Sequence, residues 1–361
     1  MVCTFALAQR YGIFHRRMKI SSLKMAMLIL CLTIMGSTVH AETQNDFDGD
    51  GRSDYTGVTV SGNDLLWQNT GSTSGQHEID DAFGISTDVV TLADWFSAGA
   101  PTLGTVRTNL TDNALVWRVQ EADQRISTEN LGKPGDLIVS GADFDGNGIA
   151  DAAVVRQVGK KLRWSIRLNM FTSEATTKQL KFGKVGDRVF FFSPDGEHDD
   201  IAVFGLTSNG KRAQLQYRDG LGGKVTKIRK FSKKLAQGTR PRPFPIQSED
   251  GTDLIGFATD DGIDTTVQIF TVDGTRTNHV TLNGTGTLFV GDYLPDSAGE
   301  EVALQTASKL FVYSVDNDEL ETPTKVSGTP VDQINIAQTM GAVVPTAVPT
   351  ATATPTATPT P

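Results

Sequence analysis

Short runs of β-branched and aromatic residues, separated by Gly, Asn, Asp and Lys, fill the chain from residue 44 to 340. One stretch shows the pattern clearly, with apolar runs at 152–158, 162–168, 176–182 and 188–192. Such runs are typical of short strands joined by turns. No segment keeps its apolar residues at the 3.6-residue period of an amphipathic helix. The pattern therefore predicts an all-β region.

The same pattern repeats along the chain in two independent series. The start of an apolar strand recurs at steps of 47 to 53 residues, marked by an acidic residue in five repeats and by proline in one: Asp54, Pro101, Asp151, Asp200, Asp253 and Glu301. An apolar–small pair recurs in phase at steps of 44 to 51 residues, at Phe83-Gly84, Leu131-Gly132, Phe182-Gly183, Phe231-Ser232, Leu282-Asn283 and Val326-Ser327. Both series give one period of about 49 residues, which is typical of a β-propeller blade.

Six repeats of four strands predict a six-bladed β-propeller of four-stranded antiparallel blades over 44–340, with seven blades as the alternative. Stacking each blade between two neighbours buries both of its faces. Counted from the acidic residue, the sixth repeat ends with a strand at 333–338. No strand is left over at either end. We therefore expect the ring to close by packing of the first blade against the sixth.

The two ends of the chain have different compositions from the repeats. A basic segment precedes the apolar run 25–35, and Val39 and Ala41 place small residues at the −3 and −1 cleavage positions. These features predict a signal peptide over 1–41, with Met18 as the better start codon. The segment 341–361 is rich in Thr, Pro and Ala, which predicts a disordered stalk or linker. The protein is therefore expected to be exported, and to be secreted, periplasmic or located on the cell surface.

Removal of the leader changes the charge and the cysteine content. The formal net charge of the whole chain is −9, but the leader holds five basic and no acidic residues, so the mature chain carries −14. That charge disfavours nucleic acid as a partner. Both cysteines lie in the leader, which excludes disulfides and thiolate chemistry from the mature protein. The mature chain has no apolar segment long enough to span a membrane.

Two acidic loops carry the clearest ligand chemistry. Oxygen side chains occupy positions 1, 3, 5 and 9 of each loop: Asp46, Asp48, Asp50 and Asp54 in loop one, and Asp143, Asp145, Asn147 and Asp151 in loop two. Glycines at positions 4 and 6 allow a tight backbone, and the carbonyl at position 7, of Arg52 or Ile149, offers one more oxygen. An all-oxygen set of this kind predicts Ca²⁺ as the cofactor.

The motif Phe182-Gly-x-x-Gly186-Asp187, loop two and the Ala-Val-Val-Arg156 that follows it resemble the FG-GAP-like (VCBS-type) repeats of bacterial exported proteins. These are similar to the calcium-bearing blades of integrin α-subunits. The resemblance implies a propeller with Ca²⁺ in its loops and a surface used for binding. Four repeats depart from the motif: 94–101 lacks the ligand set, 248–253 is reduced, and 195–200 and 292–300 are irregular.

The aromatic and basic residues give further expectations. Trp67, Trp117 and Trp164 occur at steps of 50 and 47 residues, which indicates core between blades, whereas Trp95 is the better candidate for an exposed binding aromatic. The basic residues within 224–242 are expected on outer strands of the fourth blade, where charge protects sheet edges. The alternative for this run is an anion-binding face for acidic polysaccharide or lipid headgroups.

These features favour a binding or adhesion module for an extracellular protein or glycan, with calcium stabilising the fold. The alternative from another class is an extracellular polysaccharide lyase using the histidines with Arg118, Arg156 or Arg167. No spacing in the sequence groups a base, an acid and a neutralising residue for such a site. A purely structural surface module is the third possibility, because the fold alone does not decide function.

Overall fold

A computed structural model describes residues 45–330 except 73, 76, 230, 233–241, 249–252, 295–298, 316 and 323–328. These residues form a six-bladed β-propeller of four-stranded antiparallel sheets, and no helix occurs among them. The predicted fold class is therefore confirmed, with six blades rather than seven. The predicted signal peptide and stalk lie outside the described residues. No described segment forms a helix that could span a membrane.

The first three blades follow one another along the chain. Blade 1 contains β1 (Tyr55–Ser61), β2 (Asp64–Thr70), β3 (His77–Ile85) and a strand from the far end of the chain, β24 (Thr329–Pro330). Blade 2 contains β4 (Val89–Ala93), β5 (Thr102–Asn109), β6 (Ala114–Gln120) and β7 (Ile126–Asn130). Blade 3 contains β8 (Leu137–Ala142), β9 (Asp151–Val158), β10 (Lys161–Leu168) and β11 (Thr176–Lys184).

The other three blades repeat this order. Blade 4 contains β12 (Arg188–Phe192), β13 (Asp200–Leu206), β14 (Ala213–Arg218) and β15 (Val225–Ile228). Blade 5 contains β16 (Arg242–Gln247), β17 (Asp253–Asp260), β18 (Thr265–Phe270) and β19 (Arg276–Leu282). Blade 6 contains β20 (Gly286–Gly291), β21 (Glu301–Thr306), β22 (Leu310–Ser314) and β23 (Glu319–Glu321).

In blades 2 to 6 the first strand is the inner strand, because β8 contacts β12 and β12 contacts β16 across the blade junctions. In blade 1 the inner strand is β24. The sequence places its repeat boundary one strand too late. The run 188–192, expected to end the third repeat, instead begins blade 4 by pairing with β13. A period is the same from whatever point it is counted, so the repeat cannot show which strand begins a blade.

This shift changes how the ring closes. The final described strand, β24, pairs with β1 of blade 1 at Gly57–Pro330 and Val58–Thr329, and lies beside β20 of blade 6. The expectation that closure rests on packing alone, without an exchanged strand, is therefore wrong. The expected last strand at 333–338 lies outside the described residues.

Buried apolar side chains fill every junction between blades, including that between blades 6 and 1, where Tyr55 stacks on Tyr293 with ring centroids 4.8 Å apart. The three periodic tryptophans are buried as predicted, at 0–1% exposure. Each donates its indole N–H to the carbonyl of the residue before the motif glycine: Trp67 to Phe83, Trp117 to Leu131 and Trp164 to Phe182.

The connection from each outer strand to the next inner strand is a tight turn in blades 1 to 3. Its glycine has positive φ, +88° at Gly183, and a Cβ there would lie 2.9 Å from Val203. The side chain of the aspartate that ends the turn accepts a hydrogen bond from the backbone N–H of the residue three positions earlier, as Asp187 does from Lys184 at 2.9 Å. The FG-x-x-G-D motif is thus a packing and turn device in this fold.

Truncation of the chain tests the exchanged strand. A chain ending at Thr322 lacks β24, so β1 loses its inner ladder partner and the junction with blade 6 opens to water. We expect a clearly lower melting temperature for this truncation in a thermal melt, while a chain ending at residue 340 should melt like the full chain. Equal melting of all three would contradict closure by β24.

Candidate metal centre

Loop one precedes β1, and it brings three of its four predicted carboxylates together. One oxygen from each of Asp46, Asp48 and Asp54 lies within 4.8 Å of the others. Asp46 and Asp54 are buried, while Asp48 is exposed to solvent. The group is therefore anchored on the protein side and open on the other.

Loop two joins β8 to β9 and repeats the arrangement. Oxygens of Asp143, Asp145 and Asp151 lie within 4.8 Å of one another, and Asp151 is fully buried. Asn169, from the hairpin between β10 and β11, donates its side-chain amide to Asp145 Oδ2 at 3.5 Å. The sequence did not indicate Asn169, because it lies outside the loop spacing.

Backbone hydrogen bonds hold both loops in this curled form. In loop one, the carboxylate of Asp46 at position 1 accepts hydrogen bonds from the backbone N–H groups of Gly49 and Gly51, at 2.7 and 2.9 Å. In loop two, Asp143 accepts Gly146 and Gly148, both at 2.7 Å. All four glycines have positive φ, which is the conformation that glycine adopts without strain.

The Asp50 carboxylate at position 5 of loop one is not one of the three that converge. Asp50 accepts the backbone N–H of Arg52 at 2.9 Å, and Asn147 accepts that of Ile149 at 2.8 Å. Asn147 also donates to Asn169 Oδ1 at 2.7 Å. The carbonyl oxygens at position 7 stay predicted ligands, and so do these two side chains.

The aspartate at position 9 joins the loop to its blade. Asp151 accepts the N–H of Phe144 through one oxygen and that of Asn169 through the other, both at 2.9 Å. Asp54 does the same with Phe47 and Ser72 at 2.9 and 3.0 Å. Burial nevertheless raises the pKa of Asp54 to about 6 and that of Asp151 to about 8, since desolvation disfavours the charged form.

The loops also join neighbouring blades through the residue at position 8. Its backbone N–H donates to the carbonyl at the end of the preceding blade's inner strand, at 2.7–2.8 Å, in the pairs Ser53–Asp292, Ala150–Asp94, Asp199–Asp143 and Glu300–Gln247. At the closure, the Arg52 side chain adds a 3.0 Å ion pair with Asp292. An ion bound to either loop would therefore stabilise a blade junction as well as the loop.

Two expectations about other side chains are corrected. Trp95, proposed as an exposed binding aromatic, is fully buried and packs edge-on against Trp117 and Phe171. Arg242, expected on an outer strand, begins the inner strand β16, where burial lowers its pKa. Lys227 does lie on the outer strand β15. Much of the basic run, including 233–241, lies outside the described residues.

The residues suggested for a lyase are not gathered into one site. Arg156 pairs with Asp136 at 2.5 Å, and Arg118 lies 3.9 Å from Asp88, each beside a turn that connects two blades. His198 lies in the loop between β12 and β13, which opens on the opposite face of the ring. Arg167 lies 3.8 Å from Glu129 on the neighbouring blade.

No protein-family model and no curated protein matches this chain. Among solved structures it is similar to the Photorhabdus luminescens Tc holotoxin pore, with a TM-score of 0.41 and 14% identity over 73% of this chain and 14% of that one. It is also similar to the exotype rhamnogalacturonan lyase YesX, with a TM-score of 0.38 and 12% identity over 80% of this chain and 65% of that one. The chain thus spans less than two thirds of each of these proteins.

The raised pKa values predict how pH affects the metal-free protein. The buried carboxyls of Asp54 and Asp151 keep protons in the folded state that the unfolded chain has already lost above its ordinary pKa of 3.8. Stability in chelator should therefore fall as pH rises from about 4 to 8. Bound calcium favours the ionised form of these carboxyls. In saturating calcium the melting temperature should therefore not fall over this pH range. Parallel curves of melting temperature against pH in the two conditions would contradict the prediction.

Proposed function

We propose that this chain is an exported, calcium-stabilised β-propeller of the FG-GAP-like kind that binds an extracellular protein partner. The calcium part of this proposal is supported by the convergence of three carboxylates in each of two equivalent loops. Export is supported by the leader-like segment 1–41. The choice of a protein partner over a glycan is supported by the surface of the ring.

The charge in the loops favours calcium. Two carboxylates about 4 Å apart repel by about 1 kcal/mol in water and by about 4 kcal/mol near a protein surface. Each loop places three within 4.8 Å and buries one of them completely. Oxygen-only ligands on a flexible loop suit Ca²⁺ better than Mg²⁺, which demands near-ideal octahedral geometry. A bound Ca²⁺ removes the repulsion and stabilises the folded state.

Chelation of calcium tests this proposal. Binding to the folded state alone adds RT ln(1 + [Ca²⁺]/Kd) per site, about 2.7 kcal/mol at a hundredfold excess over Kd. We expect the melting temperature to rise from chelator to millimolar calcium. The variant Asp145→Ala should lose about half of that rise, because only loop one keeps its ligands.

The exposed Asp123, in the hairpin between β6 and β7, provides the matched control. The variant Asp123→Ala removes one carboxylate of the same type without touching either loop, so its calcium response should equal that of the wild type. If calcium leaves the wild-type melting curve unchanged, the loops are turns without a structural ion, and the calcium part of the proposal is overturned.

The two faces of the ring differ in character. Antiparallel order puts both acidic loops and the hairpins between third and fourth strands on one face, here called the metal-loop face. The opposite face holds the hairpins between second and third strands and the connections between blades. Eight large apolar side chains are exposed among the described residues, and five of them lie on this opposite face: Val60, Leu110, Val158, Val185 and Ile263.

This distribution favours a protein partner on the opposite face. In sugar-binding surfaces the sugar rings stack on exposed aromatic side chains. The large apolar side chains exposed in the described part of the chain are all aliphatic. Leu110 and Ile263 are the most exposed of them, at 80% and 75%. Exposed Lys160 and Lys161 lie on the same face, and exposed Asp112 and Asp261 lie on the hairpins that carry Leu110 and Ile263. A partner with apolar groups and charges of both signs would match this face.

Array binding tests the opposite face. The double variant Leu110→Asp/Ile263→Asp should lose binding to extracellular proteins on a protein and glycan array, because charge replaces the two most exposed apolar contacts. Its melting temperature should stay unchanged, since both side chains lie on hairpin tips. The control Leu320→Asp alters an exposed leucine on the outer strand β23 and should bind like the wild type. Binding to glycans alone would contradict the protein partner.

A further inference from the structure

A third group of metal-ligating side chains lies on the metal-loop face, in blade 4. His198 and Asp200 come from the irregular loop between β12 and β13, and Asp219 comes from the hairpin between β14 and β15. One ligand atom from each lies within 4.8 Å of the other two. Asp200 is buried, His198 is half-buried and Asp219 is exposed, so the group is anchored within the blade and opens to solvent.

The distances in this group fit a shared ion. The Nε2 atom of His198 lies 3.4 Å from Asp200 Oδ1 and 3.4 Å from Asp219 Oδ1. Both separations exceed the usual length of an N–H···O hydrogen bond, which is about 2.7–3.2 Å. Two ligands on a tetrahedral ion with bonds of about 2.1 Å are separated by about 3.4 Å.

Gly220 lets the hairpin backbone approach the imidazole. Its φ is +47°, and a Cβ at this position would lie 2.9 Å from His198 Nε2. Its N–H donates to Asp200 Oδ1 at 2.7 Å, as the N–H of Asn169 does to the equivalent aspartate of loop two. Blade 4 thus keeps the scaffold of the acidic loops but presents a nitrogen ligand in place of a further carboxylate.

We infer that blade 4 holds a separate site for a divalent transition metal, with Zn²⁺ as the best match, ligated by His198, Asp200 and Asp219. Imidazole nitrogen with carboxylate oxygen is a donor set that zinc accepts and that calcium, which takes oxygen ligands, does not favour. Three protein ligands leave one tetrahedral position, on the solvent side, for water or for an oxygen of a bound partner.

The test is a zinc titration of the untagged chain in saturating calcium. Calcium occupies the two acidic loops, so isothermal calorimetry should detect one Zn²⁺ per chain at blade 4. Co²⁺ serves as a second probe, because a tetrahedral site gives it strong visible absorption. The variants His198→Ala and Asp219→Asn should each weaken Zn²⁺ binding by at least about tenfold, because loss of even an outer-shell partner of a metal ligand typically costs about 10–100-fold. Asp219 is exposed, so its variant tests the site without disturbing the fold.

His279 supplies the matched control, since it is an exposed histidine on the outer strand β19. The variant His279→Ala should bind Zn²⁺ like the wild type. Zinc binding that survives loss of His198 and Asp219, or no zinc binding at all, would overturn the proposal. Neither outcome bears on the calcium response, which the Asp145→Ala variant measures separately.

Discussion

The propeller depends on a backbone hydrogen bond between neighbouring blades, made just before the second strand at four of the six junctions in the described residues. The residue at loop position 8 donates its N–H to the end of the inner strand of the blade before it, as Asp199 does to Asp143 at 2.8 Å. In that junction the bond is reciprocal, because the Asp143 N–H donates to the Asp199 carboxylate at 2.8 Å. The loop that gathers the metal-ligating side-chain types therefore also sets the spacing of the blades.

The residue at position 9 links this junction to ligand chemistry. Asp151 is fully buried, holds its loop and the neighbouring hairpin by two backbone N–H groups, and offers an oxygen to the carboxylate group. A buried carboxylate without a countercharge is costly, and the raised pKa of Asp151 expresses that cost. An ion bound at the loop would offset this cost at the point where two blades meet.

The same scaffold carries different donor sets in different blades. Loops one and two present carboxylates, and blade 4 presents His198 beside two aspartates. The corresponding loop of blade 2, between β4 and β5, contains Trp95, which packs into the core. The scaffold survives these changes because the blades meet through backbone hydrogen bonds and buried apolar side chains rather than through the atoms of the three-residue groups. Each blade can therefore keep or change its ligand chemistry without altering the ring.

The sequence by itself determined the all-β class, the six blades, the burial of Trp67, Trp117 and Trp164, and the carboxylates that converge in each acidic loop. These follow from period and spacing, which are local properties of the chain. Only the tertiary structure decided where each blade begins, that β24 completes blade 1, that Trp95 is buried, and that Asp219 lies beside His198. Those features depend on which distant segments meet: a repeat has the same period from any starting strand, and residues on separate loops have no spacing that marks their proximity.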